Sequence, residues 1–101
     1  MKINSYVKSF DGRDYKCSEI YLPKTTLLII ATDKGFVMCG ALDTDIYSSP
    51  KMVERKVYCA KAIGVKNIDE LYNARVASAS LAFYELGLKD GMEIKEALTL
   101  I

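Results

Sequence analysis

The chain has 101 residues, half of them apolar and ten per cent aromatic, with seven tyrosines and no tryptophan. That composition argues against disorder and accommodates one domain, residues 1–101, but not two. Fourteen basic residues against thirteen acidic ones leave a net charge of +1, too little to steer a polyanion, and the absence of histidine excludes Cys-His and Ser-His catalysis, imidazole metal ligation and a histidine pH switch.

The first third reads as strands. Ile3 to Phe10 alternates loosely, Asp11-Gly12 signals a hairpin turn because Gly accepts positive φ, and Asp14 to Leu22 continues the pattern. Tyr15, Cys17, Glu19 and Tyr21 share one face of that second strand, and Lys16, Ser18, Ile20 and Leu22 the other. Both faces are mixed in character, which suits a hairpin meeting another subunit, with a half-buried edge hairpin as the alternative. Pro23 then interrupts the pattern, and Thr25 to Thr32, rich in Leu and β-branched residues, reads as a central strand buried on both faces. Asp33-Lys34-Gly35 is a tight turn leading to Phe36–Leu42 as the antiparallel partner.

Beyond Leu42 the period changes. Asp43 or Asp45 can cap a helix, as can Ser48 or Ser49 before Pro50, so helix is expected between Asp43 and Lys56. Val57 to Val65 is ambiguous: its β-branched alternation favours a strand, its Ala and Lys content a helix. Asn67-Ile-Asp-Glu70 is a capping box followed by a helix of about two turns. Val76 to Leu86 places Ala79, Ala82, Phe83 and Leu86 at helical spacing, with Gly87 positioned to end the helix. After Gly91-Met92 a last short helix carries Ile94, Ala97, Leu98 and Ile101 on one face. The fold class is therefore α+β, antiparallel strands first and short helices after.

The N-terminus lacks the apolar stretch of a secretory signal, and the longest apolar run, Leu27 to Ala31, is far too short to cross a bilayer. A cytoplasmic location is the expectation. Cys17, Cys39 and Cys59 are odd in number and 22 and 20 residues apart, which fits free thiols in a reducing compartment better than a disulfide framework or a structural zinc site. No metal and no cofactor is expected, since Gly35 and Gly40 lack the spacing of a phosphate-binding loop.

Cys39 is the candidate catalytic residue, with Asp43 or a Tyr to assist proton transfer. A bend from strand to helix over Gly40 to Asp43 would bring a helix N-terminus near its sulfur, and Gly40 would allow a ligand or another backbone to approach. The competing reading makes Cys39 a small core hydrophobe beside Val37 and Met38, and Asp43 with Asp45 helix caps. Lys24, after Pro23, either points into a cleft or is an ordinary solvated lysine. From Lys51 to Lys66, five cations (Lys51, Arg55, Lys56, Lys61 and Lys66) face one anion, Glu54, either an anion-binding patch or a solvated face. Tyr6, Tyr15 and Tyr21 fit an oligomer interface better than an RNA-stacking sheet.

The segments Leu22-Pro23-Lys24, Gly35-Phe-Val-Met-Cys-Gly-Ala-Leu-Asp43, Gly64-Val65, Leu86-Gly87, Gly91-Met92 and Glu96-Ala97-Leu98 together give a chain that resembles the YunC-like family of small bacterial and archaeal proteins of unknown function. The resemblance spans nearly the whole chain and is most specific at Met38-Cys39-Gly40 with Leu42-Asp43; it departs at Ile94, where a Gly is common. It implies a mixed α and β fold whose N-terminal β region, residues 1–42, assembles a homo-oligomer, with a tetramer favoured, and it implies no activity. Lys24, Cys39, Gly40 and Asp43 stand as a candidate ligand-binding set for a small molecule. The function expected is a cytoplasmic, homo-oligomeric ligand-binding or assembly protein. The alternatives are a thiol enzyme using Cys39 and, third, anion or nucleic-acid binding through Lys51–Lys66.

Overall fold

The computed structural model describes residues 2–40, 51 and 54–101. Among the described residues six strands form one sheet in chain order: β1 (Lys2–Phe10), β2 (Arg13–Leu22), β3 (Thr25–Ala31), β4 (Gly35–Met38), β5 (Tyr58–Lys61) and β6 (Ser78–Ala79). All neighbours pair antiparallel except β4 and β5, which are parallel. The described residues carry three short helices with full bounds: α1 (Ile68–Asn73), α2 (Leu81–Glu85) and α3 (Ile94–Leu98). The architecture is α+β, and the long strands lead.

Local chemistry explains the turns. Asp11 and Gly12 both take positive φ, 51° and 82°, the two-residue type I′ hairpin that an Asp-Gly pair favours. Between β2 and β3, Pro23 fixes a negative φ and Lys24 takes +65°, the sign pattern of a type II turn. After β3, the Thr32 hydroxyl accepts the Lys34 and Gly35 amides, both at 3.2 Å, and closes the turn into β4. Gly35 is required there. A Cβ at this position would lie 2.3 Å from the Tyr58 carbonyl oxygen, so the parallel approach of β4 to β5 excludes any side chain.

One face of the sheet carries the core. Tyr15, Cys17, Leu28, Ile30, Val37 and Ala60 alternate onto it and are buried beneath α1 and α3 with Ile68, Leu71, Ile94, Ala97 and Leu98. Contrary to the expectation for Thr25 to Thr32, β3 is fully buried on this face alone. Leu27, Ile29 and Ala31, which point the other way, are only half-buried, because the two helices that pack on β3 and β4 lie on the core side.

The helices follow their caps. The Glu70 amide donates to the Asn67 side chain at 2.8 Å, and the Glu70 carboxylate reaches back to the Lys66 amide at 2.9 Å, one residue beyond the expected partner. Ile94, Ala97, Leu98 and Ile101 are all buried, and Ile94, where the sequence departs from the family pattern, begins α3. Val57 to Val65 resolves in favour of a short strand. The helix expected over Val76–Leu86 is real only from Leu81: the Ala77 and Ser80 amides instead donate to Lys61 and Cys59 carbonyls, so the open edge of β5 captures this segment as β6. Leu86, placed on the apolar helical face by spacing, is exposed. The helix starts expected at Asp43, Asp45 and Ser48 to Pro50 lie outside the described residues, as does the end of the expected Phe36–Leu42 strand, which is described as β4 to Met38.

Candidate functional site

Cys39 follows β4 with the parity of Val37, which turns its side chain into the core. It is 7% exposed; its amide donates to the Leu28 carbonyl and its thiol faces the Thr26 carbonyl at 3.9 Å. That is the packing of a small hydrophobe. Gly40 is exposed, and a Cβ there would meet the Ile63 side chain at 3.1 Å, so the group that approaches this glycine closely belongs to the chain itself. Lys24 is exposed at the β2–β3 turn, two residues from Thr26, so Lys24 and Cys39 share one end of the sheet. Asp43 lies outside the described residues, and the four candidates are not shown gathered around one cavity.

The other thiols are also free and buried. Burial pushes the Cys17 thiol up, against the opposing pull of Lys8. Burial likewise raises Cys59, partly offset by its hydrogen bond to Ser80. Ser80 is itself fully buried and fully used: its hydroxyl donates to the Val57 carbonyl at 2.7 Å and accepts the Cys59 amide at 3.2 Å, tying the start of β5 to α2. Among the described residues no group of His, Cys, Asp and Glu side chains is arranged to hold a metal ion. In the basic segment Lys51, Arg55, Lys56 and Lys66 are exposed and Lys61 is half-buried in β5.

One feature extends the sequence reading of a hairpin face that meets another subunit, and a second was not singled out by sequence reasoning. The first is the outer face of the sheet, where Ile3 and Val7 are 54% and 65% exposed and Ile20, Leu22, Leu27 and Ile29 are half-buried. Its signal was the alternation of β3, read as burial on both faces. The second is a groove of about 540 Å³ on the helix side, between the tip of the β1–β2 hairpin and α3. Phe10 stacks on Tyr72 there with ring centroids 4.1 Å apart, and Tyr15 is tilted against both. The Tyr72 hydroxyl donates to Asp11 at 2.6 Å, while Arg13 donates to the main-chain oxygens of Leu98 and Ile101 at 2.9 and 2.8 Å. These partners lie 61 to 88 residues apart, so no local spacing announces them.

Two comparisons with known proteins bear on the family. A family model described as "Domain of unknown function (DUF1805)" matches residues 38–101. "Uncharacterized protein YunC" of Bacillus subtilis (strain 168) is 39% identical over 88 residues, 87% of this chain and 86% of that protein. This chain belongs to the DUF1805 family. The resemblance read from its motifs is thereby borne out. The crystal structure of a "Protein of Unknown Function TA1206 from Thermoplasma acidophilum" superposes with a TM-score of 0.83 over 97% of this chain and 91% of that one, and at 22% identity it supports the α+β fold of this DUF1805 member alone. No helix among the described residues is long and apolar enough to cross a membrane.

Proposed function

We propose that the protein is a cytoplasmic homo-oligomeric assembly module, a tetramer built through its N-terminal strands. The observation that carries this reading is the outer sheet face, where Ile3, Val7, Ile20, Leu22, Leu27 and Ile29 cluster opposite the helix-covered core. Paired residues share a face, so Ile3, Ile20 and Leu27 form one row across the three strands, and Ser5, Ser18 and Ile29 the next. Lys16 beside Val7 and Asp14 beside Ser9 are the charges these three strands place on that face, one of each sign. A nearly neutral apolar surface cannot repel its own copy, which suits the self-complementary contact of a two-fold interface. β1 supplies a second surface. It pairs with β2 in unbroken register over nine residues, and its other edge has no partner strand in the described sheet. A face and an edge, each related by a two-fold axis, generate a tetramer. Three buried, unpaired thiols accord with a reducing compartment.

Light scattering on a sizing column at micromolar concentration is expected to report about four chains, and Val7→Lys to reduce that number with an unchanged circular dichroism spectrum. A wild-type monomer would overturn the reading. The thiol-enzyme alternative is tested by alkylation of the native protein followed by peptide mass mapping. Cys39 is expected to stay protected until unfolding, because its sulfur is packed in the core. Rapid native modification of Cys39 alone would restore the enzyme reading.

A further inference from the structure

The groove at the hairpin tip lies on the helix side of the sheet, away from the proposed assembly face, and its chemistry is of a different kind. We propose that it binds an organic monocation, a primary ammonium joined by a short alkyl link to a flat aromatic body, with the ammonium on the Asp11 carboxylate. At about 540 Å³ the groove falls within the roughly 300–1,000 Å³ usual for small-molecule sites, and Phe10, Tyr15, Tyr72, Met92 and Leu100 give it apolar walls.

Charge sets the sign of the ligand. Four charged side chains border the space: Asp11, Arg13, Lys95 and Glu96. Lys95 is balanced by Glu93 at 3.6 Å, and Lys8, over the Phe10 ring at 5.1 Å, by Asp69 at 2.7 Å. Arg13 is committed to the protein: it donates to the main-chain oxygens of Leu98 and Ile101 and lies over the Tyr15 ring. Two carboxylates, Asp11 and Glu96, therefore stand against one guanidinium, and the surplus at the rim is one negative charge. The unspent hydrogen-bonding capacity points the same way. Tyr72 and Thr99 give their hydroxyl protons to Asp11 and to the Glu96 main-chain oxygen. Oδ1 of Asp11 and the carboxylate of Glu96, by contrast, have no hydrogen-bond or ion-pair partner among the described residues. An ammonium supplies both the missing charge and the missing donors, whereas a carboxylate ligand adds to the surplus.

The place of the Asp11 carboxylate sets the length of the ligand. Its Oδ2 lies 2.6 Å from the Tyr72 hydroxyl, and the ring that carries this hydroxyl is the one on which Phe10 stacks at 4.1 Å. One hydrogen bond thus separates the anionic group from the aromatic wall. A two-carbon link between ammonium and ring spans that gap and lays the ligand along the wall.

Asp11 is exposed, so the ionic contact contributes modestly, and a dissociation constant of about 0.1–1 mM is expected. The test is a titration of the ¹⁵N-labelled chain with 2-phenylethylamine and tryptamine, alongside 2-phenylethanol, which carries no charge, and 3-phenylpropionate, which carries the opposite one. Saturable amide shifts at Asp11, Tyr15 and Tyr72 are expected for both amines, with the alcohol about fivefold weaker and the carboxylate about tenfold weaker or more. Asp11→Asn removes the charge alone: Asn keeps an acceptor for the Tyr72 hydroxyl and tolerates the positive φ of 51° at this turn position. It should weaken 2-phenylethylamine about fivefold, leave 2-phenylethanol unchanged and leave the oligomeric mass unchanged. No saturation by either amine up to about 10 mM, 3-phenylpropionate binding as tightly as 2-phenylethylamine, or an unaffected Asp11→Asn would each overturn the proposal.

Discussion

The two faces of one sheet are built from the same strands and meet opposite fates. On the inner face Leu28, Ile30 and Val37 are completely buried by the chain's own helices; on the outer face their immediate neighbours Leu27, Ile29 and Met38 are only half-buried, and Ile3 and Val7 are more than half exposed. Composition does not separate the faces, since both are rich in Leu, Ile and Val. What separates them is helix supply: α1 and α3, the helices that pack on β3 and β4, span six and five residues and lie on the core side. The proposed assembly rests on this half-covered apolar face, whereas the inner core, among the described residues, is sealed without unsatisfied buried side-chain polar atoms.

That comparison is broken most sharply by paired substitutions one residue apart. Ile30→Ala removes a fully buried side chain and is expected to cost about 2–5 kcal/mol in denaturant unfolding. Ile29→Ala, on the other face, is expected to cost the isolated chain about 1 kcal/mol or less and to act mainly on oligomeric mass. Equal losses from both, with no change of mass, would mean that the outer face is a second core and not an interface. Next in size is Gly35→Ala. The added methyl would press on the Tyr58 backbone at the β4–β5 junction, and a loss of about 1–3 kcal/mol is expected.

A smaller effect sharpens the contrast at the hairpin tip. Tyr72→Phe deletes the hydrogen bond to Asp11 and should lower stability by about 1 kcal/mol near neutral pH. Burial first, then the bond to Asp11, pushes the Tyr72 phenol well up, and burial with Glu19 raises Tyr6 up to about 12. Below the ordinary phenol value of about 10, both folded and unfolded chains hold these protons, and the raised values have no effect on stability. As pH rises from about 10 to 12 the unfolded chain releases them first, binds fewer protons than the folded one, and stability falls. Urea midpoints measured across that interval should therefore decline in the wild type and decline less steeply in Tyr72→Phe.

Part of the site was legible and part was not, for reasons that differ by residue. Cys39 and Gly40 stood out because a thiol beside a glycine after an apolar strand has two readings in sequence; burial of the sulfur and the Ile63 side chain against Gly40 are contacts that only the folded chain supplies. Arg13 drew no attention as a turn-flanking cation, yet it ties the tip of the first hairpin to the end of α3 across 85 residues. Val76 to Ala79 had helical spacing and became strand, since the edge of β5 offered partners for its amides that an isolated segment lacks.

By itself the sequence determined what depends on a residue and its near neighbours: the Asp11-Gly12 hairpin, the Asn67 cap, the turn before β4, the apolar face of α3 and the family motifs. Backbone dihedral preferences and side chain to backbone bonds act over three or four residues, so they can be read along the chain. Tertiary structure alone decided which sheet face the helices cover, that β6 would be a strand, and that Phe10, Arg13, Tyr72 and Glu96 border one groove. Those outcomes turn on long-range packing, in which a segment's fate depends on which surface reaches it first and which donors and acceptors are still unsatisfied when it arrives.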